Sequence, residues 1–160
     1  MSTVFTETQI SSSGTDKLEI MFSAKPGEKL NPLESVASSG ELSRIMLAIK
    51  SVLSAADSIP ILVFDEIDAN IGGEVGKEVG KELKETGKKH QVICISHLPQ
   101  VASFADHHFC VKKSIVEGRT LTTISALSKQ DKVLEISRML GGGKSAQAHA
   151  KNIVSKSKYS

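Results

Sequence analysis

Two short runs of apolar residues, 61–64 and 92–95, constrain the fold of this 160-residue chain more than any other feature. Neither run alternates apolar with polar side chains, a pattern that favours strands of a parallel sheet covered on both faces. Between them, residues 74–86 carry valine and leucine at helical spacing. The order strand, helix, strand predicts a right-handed crossover connection. The sequence therefore predicts an α/β fold with a parallel sheet core flanked by helices.

The helix between the two runs contains Gly76 and Gly80, which lie within the repeated tetrads 74–77 and 78–81. A glycine in a helix interior costs about 1 kcal/mol relative to alanine. One local duplication is far from a solenoid, which needs longer periods and several copies. We interpret the repeat as accidental.

Further elements are predicted on both sides of this core from their periodicity and turn residues. An amphipathic helix extends from Leu42 to Leu53. The other predicted elements are a β-hairpin of 4–10 and 17–22 around the polar turn 11–14, a loop marked by Pro26-Gly27 and Asn31-Pro32, a short helix at 99–105, antiparallel strands at 109–112 and 121–126 around Glu117-Gly118-Arg119, and helices at 133–140 and 146–154. We expect the lysines at 151, 156 and 158 to form a solvated, frayed tail.

Length and composition indicate a single domain with an aliphatic core, because aromatic residues make up only 4% of the chain. The net charge of +2 is too mild to indicate a nucleic-acid binder by itself. No apolar stretch approaches a membrane span and no leader segment is visible, so we expect a soluble cytoplasmic protein without a membrane partner. Cys94 and Cys110 match no metal or redox spacing and are expected to be buried thiols. We divide the domain into 1–30 (hairpin and loop), 31–58 (loop and helix), 59–112 (βαβ core) and 113–160 (C-terminal strands and helices).

Charged and polar side chains follow each of the two apolar runs. Asp65 and Glu66 follow the first run, and His97 follows the second. Because ligands of open parallel sheets bind beyond the carboxyl ends of the strands, these three residues are expected to face one crevice. There Asp65 suits magnesium, Glu66 suits polarisation of an attacking water, and His97 suits contact with a phosphate. Each residue alone is also explained by loop capping or surface hydrogen bonding, but their combination favours a phosphoryl-transfer site.

The segment Ser38-Ser39-Gly40-Glu41 precedes the helix at 42–53. Ser38 and Glu41 have the spacing of a capping box, which is a sufficient structural explanation for both residues. A helix N-terminus with a hydroxyl and a glycine is equally suited to binding a phosphate. Both interpretations remain open, because the same helix N-terminus can be capped in the free state and bind a phosphate in the bound state.

No G-x-x-x-x-G-K-[ST] phosphate loop precedes these elements, although such a loop normally holds the nucleotide. The segment Gly142-Gly143-Lys144-Ser145 resembles the end of one, but Arg138 stands where the first glycine is required and a helix precedes the segment. A glycine-rich helix stop explains it. The chain is therefore expected to be one lobe of a divided ATP-hydrolysing site.

These motifs resemble those of the SMC-like class of ATP-binding-cassette ATPases, and most closely those of the RecN family of bacterial DNA repair proteins. The resemblance runs from about Pro26 to Gly142 and is carried by VASSGELSRIMLA (36–48), FDEID (64–68), ISHLPQVA (95–102), ADHHF (105–109) and RMLGG (138–142). It implies the C-terminal lobe of a P-loop NTPase head. The N-terminal lobe would carry the phosphate loop (Walker A) and would be joined to this lobe through a long coiled coil.

The resemblance further implies that two heads form a homodimer that sandwiches ATP and Mg²⁺, and that the whole protein engages DNA during double-strand-break repair. It implies no activity for this chain without the N-terminal lobe, whether that lobe belongs to the same protein or to a separate chain. The implied roles are nucleotide binding in trans for the signature residues Ser38, Ser39, Gly40 and Glu41, magnesium binding for Asp65, catalysis for Glu66 and His97, and a position in the D-loop at the dimer interface for Asp68.

Ser39 departs from the family pattern, which usually has a glycine there. Its side chain stands where a backbone would approach the nucleotide, although a hydroxyl can also donate to phosphate. Two alternatives stay open: another SMC-like ATPase head, and a non-catalytic interaction module that lacks the phosphate loop. A transporter subunit is disfavoured because such subunits usually have Gln in place of Glu41 and Pro in place of Ile67.

Overall fold

The computed structural model describes residues 1–12, 14–23, 27, 29–53 and 58–157. In chain order, the strands are β1 (Ser2–Ser11), β2 (Gly14–Phe22), β3 (Asn31–Pro32), β4 (Ile61–Phe64), β5 (Gln91–Cys94), β6 (Phe109–Val116) and β7 (Arg119–Ala126). The helices are α1 (Leu33–Val36), α2 (Ser39–Leu53), α3 (Gly73–Thr86), α4 (Pro99–Ala102), α5 (Lys129–Met139) and α6 (Gly143–Lys156). Within the described residues, no helix has both the length and the apolar character needed to cross a membrane.

A parallel strand pair with a crossover helix forms the centre of the fold. Strands β4 and β5 pair in register from Ile61 opposite Gln91 to Phe64 opposite Cys94, and α3 connects them. Leu62 and Phe64 of β4 pack against buried side chains of α2, α3 and α4. The core residues are Leu47, Leu62, Phe64, Ile67, Val79, Leu83 and Val101. The α/β fold with a parallel pair is confirmed.

One face of this strand pair is uncovered, which differs from the expectation of burial on both faces. Leu62 and Phe64 are only 7% and 4% exposed, whereas Val63 between them is 63% exposed. The side chains that share the outer face are Ile61, Val63, Ile93 and Ile95, all about half exposed or more. We call this face the outer face. Because α2 and α3 contribute their core side chains to the opposite face only, the described part of the chain leaves the outer face without a covering layer.

Two antiparallel ribbons accompany the parallel pair, and both predicted hairpins are confirmed. Strand β1 pairs with β2, which also pairs with β3, and β6 pairs with β7 over their whole length. The β6–β7 turn has Glu117 and Gly118 at φ +50° and +76°, the left-handed backbone of a two-residue hairpin turn. Strands β6 and β7 are longer than predicted. Residue 13 of the first turn and Pro26 of the predicted loop lie outside the described residues.

Helix α2 forms as predicted, but it buries a face other than its apolar stripe. Leu42, Met46 and Leu53 are 40%, 44% and 51% exposed. The buried positions are Gly40 and Leu47, which lie on the face turned toward the core. The apolar stripe of α2 is therefore a second apolar surface that the described residues leave largely open.

The glycines of α3 have a packing role that the sequence did not predict. A Cβ atom on Gly80 would lie 2.5 Å from Cδ2 of Phe104, and one on Gly76 would lie 3.0 Å from Cδ1 of Leu98. Both glycines are buried. They allow the segment around α4 to approach α3 closely, and this contact offsets their low helix propensity.

The C-terminal helices pack more firmly than the sequence suggested. Helix α5 begins at Lys129 rather than at 133, because the Ser128 hydroxyl accepts a hydrogen bond from the Asp131 amide at 3.1 Å. It ends in a glycine turn in which the Gly142 amide donates to the Ser137 carbonyl, so the predicted helix stop is confirmed. Helix α6 continues to Lys156, and Ser157 is buried with its hydroxyl donating to the Ser103 carbonyl.

Lys151 and Lys156 are exposed, as expected, but they lie in α6 rather than in a frayed tail. Position 158 lies outside the described residues. The cysteines behave as structural thiols: Cys110 is buried, Cys94 is partly buried, and burial raises the pKa of Cys94 to about 12.

Candidate functional site

The loop 65–69 after β4 is the centre of the candidate site, and we call it the acidic loop. Asp65 and Glu66 are exposed at the carboxyl end of the strand. The Glu66 amide donates to Oδ1 of Asp65 at 2.9 Å, and the Glu66 carbonyl accepts from the Ala69 amide at 2.9 Å. Glu66 has φ +55°, a left-handed conformation that costs a non-glycine residue roughly 1–3 kcal/mol. The loop therefore fixes the backbone from which both carboxylates project.

The capping box predicted at the start of α2 is present. The Ser38 amide and hydroxyl both donate to Oε2 of Glu41 at 2.9 Å, and the Glu41 amide approaches the Ser38 hydroxyl at 3.4 Å. The hydrogen bond from the Ser38 amide, followed by that from the Ser38 hydroxyl, holds the pKa of Glu41 below its usual value against a small desolvation effect. Ser38 and Glu41 thus stabilise the N-terminus of α2, which faces the acidic loop.

Gly40 brings α2 into direct contact with the acidic loop. A Cβ atom on Gly40 would lie 2.9 Å from the Glu66 carbonyl oxygen and 2.9 Å from Cβ of Ala69. The same helix face carries Ser43, whose hydroxyl donates to the Asp65 carbonyl at 2.9 Å. The absence of a side chain at position 40 is therefore required by packing inside one chain, independently of any ligand.

Arg44 fastens the far end of the acidic loop. Its Nη1 donates to the carbonyl oxygens of Ile67 and Ala69, at 3.0 Å each. Sequence reasoning missed both Ser43 and Arg44 as site residues. The signal was available, because they lie three and four positions after Gly40 and so share its helix face.

Ser39 and Glu66 are in direct contact. The Ser39 hydroxyl donates to Oε2 of Glu66, although the two residues are 27 positions apart. The sequence assigned Ser39 to the phosphate-binding segment and Glu66 to catalysis, without a link between them. The structure brings these two predicted site residues together within a single chain.

Asp68 connects the acidic loop to the segment that carries His97. Its side chain is 1% exposed, and Oδ2 accepts hydrogen bonds from the Ser96 hydroxyl at 2.6 Å and from the amides of His97 and Leu98 at 2.7 and 2.9 Å. Nδ1 of His97 lies 3.2 Å from the same oxygen, while the imidazole is 75% exposed. Oδ1 is buried and has no hydrogen-bond partner among the described residues.

Burial is the largest influence on Asp68 and raises its pKa, but the hydrogen bonds from Ser96, Leu98 and His97 outweigh it, so the pKa lies below its ordinary value. The carboxylate is thus ionised at neutral pH and fixes the position of the His97 backbone. The implied place of Asp68 at a dimer interface stays a prediction. Within one chain, its carboxylate is committed to the His97 segment.

The arrangement suits part of a magnesium-dependent phosphoryl-transfer site. Asp65 offers one carboxylate at the sheet edge, already oriented by the Glu66 amide, which is what Mg²⁺ needs when phosphates and waters supply its other ligands. Glu66 is exposed within the acidic loop, and His97 is exposed in the segment that Asp68 joins to this loop. The N-terminus of α2 adds amide donors at the same edge.

Comparison with curated proteins finds relatives described as the DNA repair protein RecN. The chain is 42% identical to the DNA repair protein RecN of Bacillus subtilis over 134 residues, which are 84% of this chain and 23% of that protein. It is 42% identical to RecN of Treponema pallidum over 144 residues and to RecN of Deinococcus radiodurans over 143 residues, each covering 88% of this chain and 25% of the relative. The chain thus spans about a quarter of the length of these relatives.

Comparison with solved structures shows that the fold is similar to that of Smc head domains. The Smc head domain of Pyrococcus yayanosii, with a coiled coil and joint, matches 79% of this chain and 23% of its own with a TM-score of 0.54 and 26% identity. The Smc head domain of Pyrococcus furiosus matches 79% of this chain and 30% of its own with a TM-score of 0.51 and 30% identity. No protein-family model matches the chain. Sequence and fold together show that the chain belongs to the RecN family and has the fold of part of an SMC-type head domain.

Proposed function

We propose that this chain supplies the signature segment, the magnesium carboxylate, the catalytic carboxylate and the histidine of an ATP-hydrolysing site that is completed by a lobe with a phosphate loop. The observation that carries the proposal is the acidic loop, which is fastened to α2 by Gly40 and Arg44 and to the His97 segment by Asp68. One rigid element thereby links three groups that phosphoryl transfer requires. The chain alone is expected to have no ATPase activity.

Each proposed role uses the chemistry of one side chain. Asp65 would hold Mg²⁺, which would supply positive charge to neutralise the phosphates. Glu66 orients and polarises the attacking water, and His97 contacts the γ-phosphate. Ser38, Ser39, Gly40 and Glu41 form the signature that meets the nucleotide of a second head, and Asp68 belongs to the D-loop at that interface.

The outer face supports the need for a second lobe. Val63 and Ile95 are 63% and 58% exposed on a two-stranded parallel sheet. Parallel sheets are ordinarily buried on both faces, and two strands rarely form a stable sheet alone. A lobe that adds strands and a covering layer would remove this exposed apolar surface from water. We assign this place to the N-terminal lobe, provided by the same protein or by a separate chain.

Dimerisation and DNA binding are proposed for the longer protein. One similar solved structure, with a TM-score of 0.50 and 27% identity over 80% of this chain, is described as showing ATP-driven dimerization and DNA stimulated activation of SMC ATPases. By that analogy, two RecN-like heads of this kind form a homodimer around ATP and respond to DNA during repair. The protein is expected in the cytoplasm, in association with the nucleoid.

The proposal is tested by calorimetric titration of Mg-ATP into the chain alone and into its mixture with the N-terminal lobe. We expect ATP binding and hydrolysis only in the mixture. In the mixture, Glu66→Gln is expected to reduce turnover by about a hundredfold or more while ATP binding persists, because only the catalytic step loses its carboxylate. Glu7→Gln, at an exposed position on β1, is the matched control and should leave turnover unchanged.

Three results would contradict this proposal in whole or in part. Tight Mg-ATP binding to the chain alone would mean that its nucleotide site lies elsewhere. Binding in the mixture without hydrolysis would favour the non-catalytic interaction module. Unchanged turnover in Glu66→Gln would remove Glu66 from catalysis.

A further inference from the structure

We propose that Ser39 is a positioning residue that holds the Glu66 carboxylate at the N-terminus of α2. The restraint ends when the Ser39 hydroxyl donates its hydrogen bond to a nucleotide phosphate instead. This inference rests on the proposed function. The observation is the hydrogen bond from the Ser39 hydroxyl to Oε2 of Glu66. It joins a phosphate-binding residue to a catalytic residue inside one lobe.

Ser39 is suited to this role because its neighbours in the signature segment are committed elsewhere. The Ser38 hydroxyl donates to Glu41 at 2.9 Å in the capping box. Gly40 has no side chain, and a Cβ atom there would collide with the Glu66 carbonyl. Of these three signature residues, only Ser39 has a hydroxyl that bonds the carboxylate of Glu66.

The backbone of Glu66 is held in place, so the side chain is the part that responds. Its amide donates a hydrogen bond to the Asp65 carboxylate, and its carbonyl accepts one from the Ala69 amide. Its φ of +55° lies in a narrow allowed region. The remaining freedom lies in the side-chain torsions, which the bond from Ser39 restricts to one orientation. Removal of this bond should release the carboxylate without moving the loop.

A hydroxyl has one proton to donate, and this sets up a choice between two acceptors. When Ser39 donates to Glu66, it cannot donate to a phosphate as well. In the proposed two-head arrangement, the signature segment meets the nucleotide of the other head, whereas Glu66 acts on the nucleotide of its own head. Engagement of Ser39 by one nucleotide therefore frees Glu66 at the other site, and the two sites become coupled through this contact.

The contact itself is tested in the chain alone, without nucleotide. NMR spectroscopy would follow the Glu66 carboxyl carbon shift and its side-chain dynamics in the wild type, Ser39→Ala and Ser39→Thr. We expect Ser39→Ala to shift the carboxyl resonance and increase side-chain motion, and Ser39→Thr to restore the wild-type values. Ser35→Ala is the control, because its hydroxyl bonds the Pro32 carbonyl away from Glu66. An unchanged Glu66 signal in Ser39→Ala would overturn the inference.

The consequence is tested in the mixture with the N-terminal lobe. We expect Ser39→Ala to raise kcat by roughly threefold to tenfold, because one hydrogen bond to a carboxylate no longer restrains Glu66, and to raise KM because a phosphate donor is lost. Ser39→Thr should return both constants toward wild type. A fall in kcat, or a change in KM alone, would contradict the proposal that Ser39 restrains Glu66.

These two arms separate the inference from the proposed function. If the wild-type mixture hydrolyses no ATP, the proposed function fails, and the NMR arm still decides whether Ser39 holds Glu66. If the mixture is active and Ser39→Ala changes neither the NMR signal nor kcat, the proposed function stands and the role of Ser39 fails.

Discussion

At the scale of single residues, the acidic groups of the loop divide into exposed and buried ones with different tasks. Glu66 projects into solvent and is held by a single hydroxyl, whereas Asp68 is buried and accepts three hydrogen bonds at one oxygen. A group that must act on a water has to be exposed, while a group that fixes geometry gains from burial because its hydrogen bonds are shielded from competing water. Both residues lie in the short segment 64–68, and the structure shows that one is exposed and the other is buried.

Replacement of Asp68 by asparagine should destabilise the chain in a pH-dependent way. An amide oxygen carries less charge for the three donors, and the amide nitrogen adds hydrogens to a buried site, so we expect a loss of about 2–4 kcal/mol in unfolding free energy at pH 7. Because folding lowers the pKa of Asp68 below 3.8, its stabilisation is fully present above that value and disappears as pH falls through the folded-state pKa. The difference in unfolding free energy between wild type and Asp68→Asn should therefore narrow only below pH 4.

Urea unfolding followed by circular dichroism at pH 7, 5 and 3 measures this difference. Asp16→Asn, at an exposed position on β2, is the control and should stay within about 0.5 kcal/mol of wild type. A gap between wild type and Asp68→Asn that is constant with pH would contradict the role of the ionised carboxylate.

At the scale of elements, helix α3 shows how packing overrides helix propensity. By propensity alone, Gly80→Ala should stabilise the helix by about 1 kcal/mol. We expect the opposite, a net loss of roughly 1–3 kcal/mol, because the new methyl group would lie 2.5 Å from the Phe104 ring in a buried contact. Gly76→Ala meets a Leu98 methyl at 3.0 Å and should cost less, because that side chain can rotate away.

Urea midpoints of the two variants and the wild type give the order directly. The expected order of stability is wild type, then Gly76→Ala, then Gly80→Ala. A Gly80→Ala variant more stable than wild type would mean that α3 and the segment at Phe104 do not approach as closely as the structure indicates.

What the sequence predicts about these elements depends on how local their causes are. The start of α2 was predictable because the Ser38–Glu41 box is a local hydrogen-bonding pattern, and the β6–β7 turn was predictable from its glycine. The buried face of α2 was not predictable from hydrophobicity, since Arg44 and Gly40 rather than the apolar stripe face the acidic loop. The link from Ser39 to Glu66 depends on tertiary approach over 27 positions, for which the sequence holds no local signal.

At the scale of the whole molecule, the fold exposes apolar surface in a consistent pattern. The outer face and the stripe of α2 are both open in the described residues, while the opposite faces of the same elements form the core. Exposed apolar surface of this extent generally marks an interaction site. The chain covers about a quarter of its RecN relatives, and the exposed apolar surface supports the proposal that a second lobe outside this chain completes the head.

This arrangement predicts that polar changes on the outer face weaken lobe association while leaving the chain folded. We expect the double variant Val63→Thr, Ile93→Thr to lose about tenfold or more in affinity for the N-terminal lobe, because two half-exposed side chains no longer contribute apolar burial. Its own unfolding free energy should change by less than about 1 kcal/mol, since β-branched Thr keeps strand propensity and neither position lies in the core. Calorimetry of lobe binding and urea unfolding of the chain alone measure the two quantities.

Ile10→Thr, at an 85% exposed position on β1, serves as the control for general loss of exposed apolar surface. Equal losses of affinity in both variants would mean that the outer face is not the specific contact, whereas a selective loss in the double variant would assign it to the N-terminal lobe.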